Sequence, residues 1–350
     1  MNFSNFFKGK VILVTGGTGS IGSEIVSQLL NYDPKAIRIL SNSENELWET
    51  QLRFKAYTSK LRFLLGDIRD FERIKRAVKD VDIIFNAAAI KHVPISEYNP
   101  MEAINVNIHG LENIIEAAIY WNVEKVIHIS TDKAINPTTV MGATKMLGER
   151  LLISRELAKG TSTTIISCVR FGNVLGSRGS IIPLFKQQIV EDNSITLTDN
   201  KMRRFFLSIS QAVELVLKSA VLAQGGEIFV LKMPTILIRD LIEVLIEEYC
   251  PKIAKDKSSI EIKVIGPRAG EKMDEELISP IEFNRCYERD DMYIIYPLTY
   301  FDEELNLNGK KVDGIQIDPG KEFFYSTKNA PLLTKKEIKN ILKEYKLLEI

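Results

Sequence analysis

The chain has 350 residues, 46 Lys and Arg against 46 Asp and Glu, and three cysteines. That length suits one large α/β domain, or a nucleotide-binding domain with a smaller appended lobe. The zero net charge excludes a global attraction to nucleic acid or an anionic membrane, and the scattered Cys168, Cys250 and Cys286 form neither a metal nor a disulfide pattern.

Strand and helix patterns alternate from the start. An apolar run at 11–14 ends in Thr15-Gly16-Gly17, and residues 20–31 have helical spacing. Further strands are predicted at 37–40, 61–65, 83–85, 126–129 and 164–169. Helices at 44–57, 71–79, 103–121 and 141–156 separate them. This alternation predicts an α/β fold, a Rossmann-type doubly wound parallel sheet. After Arg170 the rhythm loosens. Helices are expected near 183–191, 211–223, 236–249 and 334–347, and strands at 195–197 and 228–231. Residues 1–172 are therefore expected to form a dinucleotide-binding domain. Residues 173–350 should form mainly a smaller C-terminal substrate-binding lobe, with some segments returning to the first domain. The first ten residues lack a signal-peptide layout, and the longest apolar runs are strand-length. A cytoplasmic protein with no membrane or nucleic-acid partner is expected.

Thr15-Gly16-Gly17-Thr18-Gly19-Ser20-Ile21-Gly22 places three glycines at three-residue spacing between a strand and a helix. Glycine permits the tight turn and the close approach of backbone to a pyrophosphate, and the helix start offers free N–H groups. Gly16, Thr18, Gly19, Ser20, Ile21 and Gly22 are thus candidate cofactor contacts. An acidic residue usually ends the second strand and binds the ribose hydroxyls of NAD. Here Ser41 takes that place and Glu44 could reach back, so NAD and NADP both stay open. Asp67 and Ile68 follow the third strand, where Asp67 could meet adenine or simply be a helix N-cap. Ala87 and Ala88 follow the fourth.

Thr131-Asp132-Lys133 follows the strand at 126–129, and the next helix puts Met141 and Lys145 four apart on one face. A thioether has no proton to give. Asp132 and Lys133 supply two proton-transfer groups instead. An acid and a base beside a nicotinamide suggest elimination of water rather than simple oxidation.

These residues carry a resemblance. The glycine turn, Asn86-Ala87-Ala88-Ala89, Lys91-His92-Val93-Pro94, Asn105-Val106-Asn107, Ser130-Thr131-Asp132-Lys133-Ala134 and Arg170-Phe171-Gly172-Asn173-Val174 resemble the extended short-chain dehydrogenase/reductases. More narrowly, they look like the nucleotide-activated N-acetylglucosamine 4,6-dehydratases of polysaccharide and related sugar pathways. Gly176-Ser177-Arg178-Gly179-Ser180 and Arg268-Ala269-Gly270-Glu271-Lys272 extend the match, which runs from about residue 8 to about residue 280. The resemblance implies NAD or NADP as cofactor, a UDP-sugar substrate and a homo-oligomer. It implies oxidation at C4, loss of water across C5 and C6, and hydride return to C6.

Lys133 is then the base at C5 and Asp132 the acid at the C6 hydroxyl. Lys133 must be neutral for this, so a lowered pKa is expected, and Asp132 must hold a proton. Thr131 meets the 4-hydroxyl, and Lys145 holds the nicotinamide ribose. Many members of the family carry Tyr where this chain has Met141, so the 4-hydroxyl proton needs another route. That route is expected through Thr131 to Lys145, Asp132 or ordered water.

Candidate substrate contacts are Lys91, His92, Asn173, Arg178, Arg204, Arg268 and Glu271. Asn173 is similar to the family's diphosphate-binding Asn, and Glu271 to its ribose-binding residue. The arginines suit phosphate or uridine contacts. His92 is equally readable as structural, and His109 and His128 read as structural. The alternatives are a GDP-linked sugar, a nucleotide-sugar 4-epimerase, which needs no acid and base at C5 and C6, and a non-catalytic NAD(P)-binding protein.

Overall fold

The structure is a computed structural model that describes residues 3–268, 270–301, 311–317 and 325–349. Ala269, quoted above within the 268–272 motif, lies outside them. Apolar runs buried on both faces form its parallel strands. The first half contains α1 (Phe3–Phe7), β1 (Val11–Thr15), α2 (Ser20–Leu29), β2 (Ala36–Ser41), α3 (Glu44–Arg53), β3 (Leu61–Leu65), α4 (Phe71–Val78) and β4 (Ile83–Asn86). It continues through α5 (Val93–Tyr98), α6 (Pro100–Ile104), α7 (Gly110–Tyr120), β5 (Lys125–Ile129), α8 (Val140–Ala158) and β6 (Ile165–Arg170). The second half contains β7 (Asn173–Val174), α9 (Ile181–Glu191), β8 (Ser194–Leu197), β9 (Arg203–Leu207), α10 (Ile209–Leu222), β10 (Ile228–Leu231), β11 (Thr235–Leu237) and α11 (Ile238–Tyr249). It ends with β12 (Glu261–Val264), β13 (Glu276–Ile278), β14 (Cys286–Arg289), β15 (Met292–Ile295), β16 (Ile315–Gln316), β17 (Tyr325–Ser326) and α12 (Lys335–Glu344).

The large sheet runs β16-β14-β15-β10-β6-β5-β4-β1-β2-β3. The seven strands from β3 to β10 are mutually parallel, and the three beyond β10 are antiparallel. The order 3-2-1-4-5-6 is that of a doubly wound dinucleotide fold, whose ligand crevice opens where the strand order reverses, between β1 and β4. Helices α1, α2 and α10 pack together as one layer, and α4, α7 and α8 as another. Local chemistry sets the helix starts. Ser43, Asp70 and Thr139 side chains accept backbone N–H bonds at the starts of α3, α4 and α8. Ser208 with Gln211, and Thr334 with Glu337, form capping boxes on α10 and α12.

The helix expected at 103–121 is present but not regular. A π-helical turn, Asn105–His109, separates α6 from α7. It turns the buried Asn107 carboxamide onto both backbone groups of Ile90 and onto the Thr144 hydroxyl. Those bonds hold the loop after β4 against α8, a gain that regular helix would forgo. Helix α5 was not expected; it is short and carries Pro94 in its first turn, where proline is tolerated.

The remaining elements make small sheets, β11-β9-β7, β12-β8 and β13-β17. A second apolar core gathers Phe185, Leu241, Leu245 and Ile338 from α9, α11 and α12. Helix α10 with β10, and the strands β14, β15 and β16, return to the large sheet. Among the described residues no helix is long and apolar enough to cross a membrane.

Candidate active site

A cleft of about 750 Å³ opens at the carboxyl ends of β1, β4 and β5. Gly16, Gly19, Ser20, Ile21 and Gly22 form one wall. Gly16 has φ of 62°, and a Cβ there would lie 2.8 Å from the Ala88 backbone. A Cβ on Gly22 would lie 2.2 Å from the Gly16 carbonyl oxygen. The turn is thus a cradle that side chains would fill. No side chain caps the start of α2 at Gly19, so its first N–H groups are free for an anion. These residues fit a dinucleotide pyrophosphate. Gly22→Ala is expected to weaken NAD or NADP binding by more than about tenfold, ~1.4 kcal/mol. An equilibrium titration of the purified variant checks this; unchanged affinity would place the cofactor elsewhere.

At the end of β2, the Thr18 hydroxyl lies 3.0 Å from Ser41 Oγ and donates at 2.6 Å to Glu46 Oε2. The carboxylate that reaches back is therefore Glu46, two residues beyond the expected Glu44. The Thr18 hydrogen bond, opposed by burial and aided by Arg178, holds the Glu46 carboxyl below its usual range. Arg178 belongs to the 176–180 loop yet crosses to this end of the cleft. Its guanidinium donates to Glu46 Oε1 at 2.7 Å and to the Thr18 carbonyl at 2.6 Å. Its N–H donates to Ser20 Oγ at 2.9 Å, and its carbonyl accepts from Lys91 Nζ at 2.7 Å. Burial, with Arg178 adding to it, lowers the Lys91 pKa. The His92 ring lies directly under Gly179. This loop straps the glycine turn to the segment after β4.

Asp67, Ile68, Ser41, Arg268 and Glu271 do not line the cleft. Asp67 accepts from the Arg69 backbone N–H at 2.9 Å and from its guanidinium at 2.7 Å; it is not the helix N-cap, which on α4 is Asp70. The Arg69 bonds, against burial, hold the Asp67 carboxyl below the usual range. Ile68 is buried against Gly110. Arg268 is exposed, and its N–H donates to Glu271 Oε2 at 3.2 Å. Glu271 reaches the cleft only through Arg204, whose Nη2 lies 3.4 Å away. Ala87 lines the cleft, and Ala88 backs Gly16.

Across from the glycine turn, β5 delivers Thr131, Asp132 and Lys133, and α8 delivers Met141 and Lys145. Gly142 lets them meet: a Cβ there would lie 2.5 Å from the Lys133 carbonyl, so α8 lies directly on the Asp132–Ala134 turn. Lys145 is buried and donates to the Ile129 carbonyl at 2.8 Å. Burial lowers its pKa to about 8 despite Glu149. Met141 is 4% exposed and lines the cleft. Asn173 also lines it, with a buried Oδ1 that lacks a protein partner.

The acid–base group is tightly bonded. Thr131 Oγ1 donates to Asp132 Oδ1 at 2.7 Å, and Lys133 Nζ donates to the same oxygen at 3.0 Å. Asp132 is fully buried. A second carboxylate, absent from every motif read above, completes the group: Glu275 Oε1 lies 3.6 Å from Lys133 Nζ. The expectation of a lowered Lys133 pKa is corrected here. Burial pulls it down, but Asp132 and Glu275 together outweigh burial and raise it. The two carboxylates thus favour the ammonium form of Lys133. Arg204 is buried beside the group, its Nε 3.8 Å from Glu275 Oε1, while Arg203 is only half-buried. No sequence signal marked Glu46 or Glu275; each is a lone carboxylate in an ordinary context.

Residues 12–297 match the family described as polysaccharide biosynthesis protein. A chain of Methanocaldococcus jannaschii described as an uncharacterized membrane protein is 51% identical over 99% of this chain and 99% of its own. The UDP-N-acetylglucosamine 4,6-dehydratase (inverting) of Campylobacter jejuni is 40% identical over 96% of this chain and 98% of its own. The UDP-glucose 4-epimerase of Rickettsia prowazekii is 38% identical over 96% of each. The X-ray structure of Pen from Bacillus thuringiensis superposes with a TM-score of 0.88 at 42% identity, covering 98% of this chain and 99% of that one.

Proposed function

The chain belongs to the polysaccharide biosynthesis protein family, and we propose that it is a UDP-N-acetylglucosamine 4,6-dehydratase using NAD or NADP. The product would be a UDP-4-keto-6-deoxy-N-acetylhexosamine. The observation that carries this reading is the bonded Thr131–Asp132–Lys133 group facing the glycine turn, with Thr131 and Lys133 on the cleft wall and Asp132 buried directly behind them. The identity with the Campylobacter dehydratase supports it.

Gly16, Gly19, Ser20 and Gly22 would hold the pyrophosphate, and Lys145 the nicotinamide ribose. When bound there, the nicotinamide would supply the hydride acceptor for C4 of the sugar and the donor for C6. The remaining chemistry belongs to the chain. The Thr131 hydroxyl, placed at the 4-hydroxyl, passes its proton to Asp132, the one partner it already bonds at 2.7 Å. Lys145 donates to Ile129 instead, which favours Asp132 as the acceptor. This route replaces the missing Tyr at Met141. Asp132, now protonated, gives that proton to the C6 hydroxyl, which leaves as water. Lys133 removes the C5 proton. Asn173, with its unpartnered Oδ1, and Arg204 would orient the sugar nucleotide, together with Lys91, His92 and Arg178 near the strap. Arg268 and Glu271 would contact the uridine from outside the cleft.

The Rickettsia relative favours a second reading, a nucleotide-sugar 4-epimerase. An epimerase has no work for a base at C5, whereas Lys133 sits in the cleft between two carboxylates. A cytoplasmic location goes with the dehydratase reading, because three buried free thiols fit a reducing compartment. So does a homo-oligomer, for which Met101, Tyr120, Leu147 and Leu157 offer exposed apolar contacts on α6, α7 and α8.

The test is incubation with UDP-N-acetylglucosamine in deuterated water, followed by NMR and mass spectrometry. Loss of one water with deuterium at C5 supports the dehydratase, and the ring couplings give the C5 configuration. An unchanged mass with a new C4 epimer would favour the epimerase. An untouched sugar would overturn the UDP-N-acetylglucosamine reading and direct the same assay to the GDP-linked sugar.

A further inference from the structure

The proton route just described leaves one proton without a destination. Asp132 receives the proton of the 4-hydroxyl. Lys133 must then be an amine, yet the two carboxylates favour its ammonium form. Asp132, once protonated, cannot take the Lys133 proton. Arg204 and Lys272 nearby carry donors only. Among the described residues, Glu275 is the second carboxylate within ion-pair reach of Lys133 Nζ.

Glu275 is built for that place. It is 3% exposed, and its Oε2 has no partner. Its N–H donates to Thr327 Oγ1 at 3.1 Å, and its carbonyl accepts from the Thr327 N–H at 2.9 Å. Two residues on, the Leu277 carbonyl accepts from the buried Arg170 at 2.7 Å. The backbone on both sides is thus fixed, while the carboxyl itself sits among opposed charges: Lys133 from the turn after β5, Arg204 from β9 and Lys272 from its own segment attract it, and Asp132 repels it. A buried carboxyl with an unbonded oxygen serves no evident packing need, and an apolar residue would fill the space at less expense.

We propose that Glu275 accepts the proton of the Lys133 ammonium once Asp132 has been protonated, and so frees the Lys133 amine to act at C5. The inference rests on the dehydratase reading and extends it. Glu275 touches no reacting atom, so it is a positioning residue that acts through Lys133. The 3.6 Å separation must close by about 0.4 Å to make a hydrogen bond, a small side-chain rotation. Protonation of Asp132 is itself the trigger, because it removes one of the two negative charges that hold the ammonium. Burial, the largest cause, raises the Glu275 pKa against the nearby cations, so the carboxyl can hold a proton.

The protons balance. The C4 hydroxyl proton travels through Thr131 and Asp132 to the C6 hydroxyl and leaves in water. The C5–H electrons form the C5–C6 double bond as the C6–O bond breaks. Lys133 takes the C5 proton and returns one to C5 when the hydride reaches C6. Glu275 then gives its proton back to Lys133.

The test uses Glu275→Gln, which keeps shape but accepts no proton, and Glu275→Asp, which keeps the charge but draws it back. In a single turnover of UDP-N-acetylglucosamine, rapid quenching separates C4 oxidation from water loss. Glu275→Gln is expected to slow water loss by about 10²-fold while oxidation continues. Its water-loss rate should rise with pH, as solvent takes over from Glu275, whereas the parent varies little. Glu275→Asp should recover part of the rate. Independently of turnover, pH-dependent labelling of Lys133 by an amine reagent, read by mass spectrometry, should shift to lower pH in Glu275→Gln. Water loss that keeps pace with oxidation, or an unshifted labelling profile, overturns the inference. If Glu275→Gln does not fold, Glu275→Asp decides alone, and a parental ratio of the two steps overturns it. A parent enzyme that never removes water from the sugar overturns the functional reading instead, while the labelling arm still reports on the pair.

Discussion

Lys133→Met is expected to lower the rate of water loss by about 10²–10⁴-fold, the usual contribution of a positioned general base. Oxidation at C4 should continue, because Thr131 and Asp132 remain bonded to each other. The oxidised sugar that still carries its C6 hydroxyl would then accumulate. Mass spectrometry of quenched single turnovers would detect it. Methionine keeps the length of the side chain and removes only the amine. Asp132→Asn is the informative contrast. It removes the acceptor for the 4-hydroxyl proton and the donor for the leaving hydroxyl together, so neither step should proceed. Equal water loss in Lys133→Met and parent would mean that the base lies elsewhere.

Arg170→Met should have the largest effect on stability, a loss of about 3–5 kcal/mol. Arg170 is fully buried at the end of β6. Its Nε and Nη2 bond Glu149 of α8 at 3.0 and 2.6 Å, and its Nη1 and Nη2 bond Glu282 at 3.1 and 2.9 Å. Removing it leaves two buried carboxylates facing each other. Burial pushes the Glu282 pKa up, but Arg170 and the Ser279 bonds outweigh it and bring it down from 4.5 to about 2. A depressed carboxyl stabilises the fold above its unfolded pKa, and that stabilisation fades as pH falls through the folded value. The parent should therefore lose about 3 kcal/mol between roughly pH 4.5 and pH 2 from this group alone. The variant should lack that part of the slope. Denaturant unfolding at several pH values reads both effects. A change below about 1 kcal/mol would show that the triad contributes little.

The fold was legible wherever chemistry repeats locally. Strands buried on both faces read as short apolar runs, and the turns after them carry glycine or a capping side chain. The segment 228–231 was read correctly as a strand, although its place as the seventh parallel strand of the large sheet rests on pairing that no local pattern records. The π turn at Asn105–His109 was hidden because its reward, the Asn107 bonds to Ile90 and Thr144, is tertiary. The same division holds in the site. Thr131, Asp132, Lys133, Met141 and Lys145 fall within one strand–turn–helix unit, so spacing alone groups them. Glu275 reaches them from an irregular segment far along the chain, and nothing near it in sequence marks it. Glu46 was missed for a smaller reason. Glu44 is nearer the strand end in sequence, but the first turn of α3 carries Glu46 back toward Thr18.

The Arg178 strap has a consequence for how the protein lives with its cofactor. A reaction that hands its hydride back within one cycle leaves the dinucleotide unchanged, so nothing is gained by exchanging it. A loop bonded to the glycine turn at Thr18 and Ser20 and to Glu46 beside it, and anchored behind by Lys91, would have to let go for such a molecule to leave. The dinucleotide then behaves as a resident part of the catalyst, installed once and kept through many sugars. Protein purified without added nucleotide should carry it through gel filtration, and the cell's swings between oxidised and reduced nicotinamide pools would barely reach it.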